Sequence, residues 1–114
     1  MKHFWRTGLL AFAAVGCYAT GAAAQSGVDG DPAAGRVKAS TCMGCHGVPN
    51  YSNVYPTYHV PKLGGQSAGY IVSALKAYKS GERSHPTMQG QATSLSDQDI
   101  RDIAAFLAQA PEDN

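Results

Sequence analysis

The chain is short of the features that mark several common protein classes. It has 3 cysteines in 114 residues, and the first, Cys17, falls in an amino-terminal segment read below as a leader. Only two thiols are then left, close together, so no framework of structural disulfides can be drawn. No apolar run reaches the roughly 20 residues needed to cross a bilayer, the longest being Gly8 to Tyr18, so stable membrane insertion is not expected. Runs rich in Val and Ile are missing, as is sustained alternation of apolar and polar residues, which argues against a sheet protein. Neither sign of charge is in large excess. Lys and Arg number 9 against 8 Asp and Glu, and loss of Lys2 and Arg6 with a leader brings the balance to 7 against 8, or −1. Such a chain carries no basic footprint for nucleic acid and little long-range steering toward a highly charged partner. Internal repeats are absent too.

The amino terminus reads as an export signal. Lys2, His3 and Arg6 form a short basic start, Gly8 to Tyr18 a mostly apolar stretch, and Ala22-Ala23-Ala24 the small residues a signal peptidase requires. Cleavage before Gln25 divides the chain into a leader, 1–24, and one small domain, 25–114, in the periplasm. Two alternatives use the same residues: an uncleaved anchor, for which the apolar stretch is short, and a lipoprotein held through Cys17, for which Ala14 is a poor lipobox residue. A domain this small has a marginal core and commonly leans on a metal or another staple.

Cys42-Met43-Gly44-Cys45-His46 supplies one. At this spacing the two thiols can each form a thioether with a haem vinyl group while the imidazole places a nitrogen on the iron, the pattern of c-type haem attachment. Random placement of 3 Cys and 4 His would produce it roughly 0.003 times per chain, so the motif is specific. A thioredoxin-like dithiol would need alternating strands and helices around it, and a zinc site would need four ligands, for which adjacent Cys45 and His46 are poorly placed.

Three helices can be placed around this motif. Asp31-Pro32 provides an N-cap and a first-turn proline, opening a helix expected to run to about Cys42, with Gly35 and Ala39 on one face where another helix could cross closely. Ser67 can cap a second, from Ala68 to about Lys79, with Ile71, Leu75 and Tyr78 on the buried face and Gly81 as its stop. Ser96-Asp97-Gln98-Asp99 opens the third with a capping-box pattern, Leu95 and Ile100 form a hydrophobic staple, Ile103, Ala104 and Leu107 continue the stripe, and Pro111 ends it. The segments 47–65 and 81–95 show neither period and read as loops. In the first, Tyr51, Tyr55 and Tyr58 could line a haem edge. Lys76, Lys79 and Arg83 form a small basic cluster that reads as a solvated face or a docking patch.

An iron held by His46 on one side has a sixth position to fill. Met1 leaves with the leader and Met43 lies between the two attachment cysteines, so Met88 is the methionine able to approach from the other side; His59 and His85 are the alternatives.

Taken together, Ala34-Gly35, Cys42 to Gly47, Pro61-Lys62-Leu63-Gly64-Gly65-Gln66, Tyr70, Leu75, Gly81-Glu82-Arg83, Met88 and Leu95 to Ile100 resemble a class I cytochrome c, and within that class one haem domain of the bacterial cytochrome c4 group. The resemblance covers nearly the whole of 25–114. It implies an all-α fold, the small cytochrome c fold with three main helices around one covalent haem c, in which the first and last helices cross near Gly35 and Phe106. It also implies Met88 as distal ligand and the Pro61 carbonyl as acceptor of the second ring proton of His46. There are two departures from the pattern: cytochromes c4 carry two such domains in tandem where this chain has one motif, and 51–60 does not match their loop.

The expected function is one-electron transfer by a periplasmic carrier, without substrate turnover, between redox protein donors and acceptors. Two other readings share the residues: an electron-accepting subunit of a periplasmic dehydrogenase, or a haem protein that binds a small ligand at an open sixth site. The chain would be a monomer or a subunit of a redox complex.

Overall fold

The computed structural model describes residues 27–54 and 57–111. The leader with Cys17, and Tyr55 in the loop, lie outside the described residues. The order of elements is α1 (Pro32–Lys38), α2 (Ser40–His46), β1 (Ser52–Val54), β2 (Thr57–His59), α3 (Ala68–Ser80), α4 (Pro86–Thr93) and α5 (Asp97–Gln109). The architecture is all-α, as the resemblance implied, with one small hairpin added. Among the described residues no helix is long and apolar enough to cross a membrane.

The start of α1 follows its sequence: Asp31 accepts the Ala33 N–H at 2.8 Å and Pro32 occupies the first turn. Its end does not. Instead of one helix to about Cys42, the backbone flattens at Ala39 (φ −79°, ψ 0°) and resumes as α2 through His46. Ala39 is fully buried where packing sets its conformation, and alanine, the best helix former, offers no local sign of a break.

Helix α5 is the axis of the core. Ser96 and Asp99 exchange both capping-box hydrogen bonds, Ser96 N–H to Asp99 Oδ2 at 2.9 Å and Asp99 N–H to Ser96 Oγ at 3.1 Å. Ile100, Ile103 and Leu107 are the largest fully buried side chains, and Ile71 and Leu75 of α3 pack on them. Each such side chain contributes on the order of 1.5–3 kcal/mol. On its other side α5 meets α1 at a crossing only glycine permits, since a Cβ on Gly35 would stand 1.9 Å from the Asp102 carbonyl oxygen and 2.9 Å from Phe106 Cβ. The expected juxtaposition of Gly35 and Phe106 is thus observed.

Three further expectations are corrected. The segment 47–65 contains an antiparallel hairpin, β1 on β2, with Ser52 opposite His59, Asn53 opposite Tyr58 and Val54 opposite Thr57. Strands of three residues are too short to display an alternating period. The segment 81–95 contains α4, whose Thr87, Gln89, Gly90, Gln91 and Thr93 leave it without an apolar stripe; only Ala92 is buried. Ser67 stands at the N-cap of α3, but its side chain makes no capping bond. The stop at Gly81 is as expected, with φ at 84° in the left-handed region that favours glycine.

Candidate functional site

Cys42, Cys45 and His46 all lie on α2, at i, i+3 and i+4, and so share one face of the helix. The helix has no buried residue. Cys42 is half-buried and Cys45 exposed, both as free thiols, and burial raises the Cys42 thiol above its ordinary pKa. Gly44, two residues on from Cys42 and hence on another side of the helix, adds no side chain, and a Cβ there would meet nothing within 4 Å. Met43, one residue on from Cys42, lies about 100° further round the helix. It packs against the core, and its methyl carbon covers Gly47, where a Cβ would come within 2.8 Å of it.

The loop after the hairpin reaches back to this face. Nδ1 of His46 lies 2.6 Å from the Pro61 carbonyl oxygen. A carbonyl can only accept, so Nδ1 carries the proton and Nε2 presents its lone pair, the tautomer a metal-ligating histidine requires. The carbonyl is held in place from the far end of the chain: Gly65 N–H donates to Leu107 O at 3.0 Å, and Gly64 lies so close to Pro111 that a Cβ would be 2.2 Å from its carbonyl oxygen. Two free thiols and an imidazole in the correct tautomer, on one face of a helix with no buried residue, fit a covalently attached haem by donor chemistry and by access.

Met88 sits in the first turn of α4 rather than in an irregular loop. The helix begins with an uncommon cap. His85 is extended (φ −163°, ψ 104°), its Nδ1 accepts the Met88 N–H at 3.4 Å, and Pro86 follows at the first helical position. Met88 is half-buried and packs against the same apolar cluster as Cys42 and Met43. The alternative ligand His85 is engaged as this cap, its ring edge-on to Tyr58 at 4.7 Å and to Tyr78 at 6.4 Å. His59, the other, is exposed on β2 with Nδ1 3.1 Å from Ser52 Oγ. The sequence reading missed the contact of Tyr58 with α4, where the Tyr58 hydroxyl lies 3.4 Å from Thr87 Oγ1; the His85-Pro86 pair before Met88 was the available signal. Of the expected basic cluster, Lys79 donates to the Leu95 carbonyl, and the Arg83 guanidinium lies 4.8 Å over the Tyr78 ring and 3.3 Å from the Tyr70 hydroxyl. Two of its three cations are therefore engaged by the chain itself.

Comparison with known proteins matches residues 32–111 to the family model described as cytochrome c. The chain is similar to cytochrome c4 of Pseudomonas aeruginosa, 44% identical over 79 residues, a match covering 69% of this chain but 38% of that relative. It is similar to cytochrome c-554(548) of Halomonas halodenitrificans, 46% identical over 82 residues that cover 69% of this chain and 95% of the relative. A third relative is the thiosulfate dehydrogenase electron acceptor of Stutzerimonas stutzeri, 37% identical over 73 residues, covering 64% of this chain and 33% of that protein.

Proposed function

The chain belongs to the cytochrome c family, and its cofactor is a covalently bound haem c; from that premise we propose that it is a periplasmic one-electron carrier with His46 and Met88 as axial ligands. When bound, the haem supplies an iron that exchanges single electrons between its ferric and ferrous states.

The protein's part is to hold and tune that group. Cys42 and Cys45 would tether it through thioethers, and their shared helix face would let Nε2 of His46 ligate the iron. The Pro61 carbonyl keeps Nδ1 protonated and Nε2 aimed outward, orienting the ligand and raising its basicity. This 2.6 Å contact is the observation that carries the reading. Met88 would hold the iron through its thioether sulfur, a ligand that favours the reduced iron and a relatively positive potential. In this reading the chain conducts an electron and transforms no substrate.

The deciding experiment is the absorption spectrum of the oxidised, haem-loaded protein beside Met88→Ala. A weak long-wavelength sulfur-to-iron band in the parent, lost in the variant, is expected; its absence from the parent sinks the axial assignment.

A second reading draws on the relative from Stutzerimonas stutzeri that is named an electron acceptor of thiosulfate dehydrogenase: the same one-electron chemistry in permanent association with a dehydrogenase. Co-purification of a large second protein after gentle lysis supports that form, and migration as a single small species supports the diffusing carrier.

A further inference from the structure

The hairpin is joined to the Met88 helix by a compact set of contacts that none of the site chemistry above requires. Tyr58, on β2, meets α4 twice. Its ring packs against His85, centroids 4.7 Å apart at an interplanar angle of 86°, and its hydroxyl lies 3.4 Å from Thr87 Oγ1. His85 and Thr87 flank the turn that presents Met88, and His85 caps that turn through the Met88 N–H. Tyr78 of α3 lies on the His85 ring as well, at 6.4 Å and 74°. Helix α4 needs such support. It is a polar eight-residue helix with one buried residue, too short to be stable alone and poor in apolar contacts of its own.

The geometry points to Tyr58 as a positioning residue: acting through His85 and Thr87, it holds the first turn of α4 so that Met88 remains on the iron. The inference rests on the His46/Met88 reading. The contacts of Tyr58 are with His85 and Thr87, and its effect is on the balance between a Met88-bound and a Met88-released form. An exogenous ligand for ferric haem binds only the released form, so its apparent affinity rises in proportion to the fraction released.

Imidazole titration of the oxidised, haem-loaded protein, followed by absorption, reads this fraction. Loss of the edge-on ring contact and the hydroxyl contact in Tyr58→Ala is expected to lower the apparent Kd for imidazole by roughly tenfold. Tyr58→Phe, which keeps the ring, is expected to lower it less, and Val54→Ala, at an exposed position of the same hairpin, to leave it unchanged. The same Tyr58→Ala change placed in Met88→Ala should have no effect, because no methionine is left to release. Should Tyr58→Ala fail to load haem, Tyr58→Leu retains the bulk and tests the same contact. Equal tightening in both backgrounds, or none with Met88 present, overturns the inference while leaving the axial assignment intact. Equal imidazole affinity of the parent and Met88→Ala overturns the axial assignment itself, and the positioning role with it.

Discussion

Lys38 on α1 and Asp102 on α5 meet at 2.6 Å, and the Asp102 side chain is only 4% exposed. Asp102 satisfies its oxygens from three residues: Lys38 Nζ on Oδ2, and the Asp31 N–H (2.8 Å) and the Gln98 side-chain amide (2.7 Å) on Oδ1. Lys38 also reaches Asp99 Oδ1 at 2.7 Å. One carboxylate therefore fastens the entry of the first helix, its last turn and the first turns of the last helix at the crossing that Gly35 opens.

This arrangement gives stability a predictable acid dependence. The hydrogen bond from Lys38, then those from Asp31 and Gln98, hold the Asp102 carboxyl down to about 2 from 3.8. Asp99 is also held below its ordinary range, first by Lys38 and then by Ser96. A folded-state pKa below the unfolded one means that the unfolded chain binds more protons. The stabilisation from Asp102 is thus complete above about pH 4 and lost as pH falls from about 4 to about 2. Asp102→Asn is expected to be less stable than the parent near neutral pH and to lose stability less steeply across that window. Denaturant titrations at several pH values check this, and parallel acid limbs would show that Asp102 is not the linked group.

Gly35→Ala tests the crossing. Its methyl group would overlap the Asp102 carbonyl, backbone atoms that cannot rotate aside, so α1 and α5 must separate. A loss of about 1–3 kcal/mol or more is expected, as for overpacked cores, measured by chemical denaturation of the haem-loaded protein. An unchanged midpoint would mean the helices cross elsewhere.

Two serines make a matched pair. Ser96 caps α5 with a real hydrogen bond, whereas Ser67 occupies the equivalent position on α3 without one. Ser96→Ala is expected to cost about 1 kcal/mol, and Ser67→Ala a few tenths at most. Comparable losses at both sites would contradict the difference between the caps.

Replacing Met88 with Ala is expected to lower the reduction potential by on the order of 100 mV, a fraction of the roughly 0.8 V over which axial ligands tune haem iron. It should also allow carbon monoxide to bind the reduced protein rapidly, which the parent should resist. Rapid, stoichiometric binding by the parent would instead favour an open sixth site and the ligand-binding alternative.

Much of this molecule was legible from local chemistry. The attachment motif needs only residue type and spacing, because thioether and imidazole chemistry are properties of the side chains. The starts of α1 and α5 were readable because a cap is a contact between residues two or three apart, Asp31 with Ala33 and Ser96 with Asp99. Helix α4 was not, since its polar surface carries no period and its cap is a histidine, an atypical residue for that role. The break at Ala39 and the hairpin were hidden for related reasons: burial imposes the first, and pairing between strands of three residues the second.

The chemistry proposed for the site thus follows from which atoms the residues carry: two thiols able to tether, an imidazole and a thioether able to ligate. Its geometry depends on which segments meet. Pro61 lies 15 residues beyond His46 yet orients its imidazole, because Gly64 and Gly65 are fastened to the end of α5. Tyr58 reaches Thr87 across 29 residues. Such contacts have no trace in local periodicity; they exist because the packing of α1 and α3 on α5 brings distant backbone to one place, and that packing is a property of the whole chain.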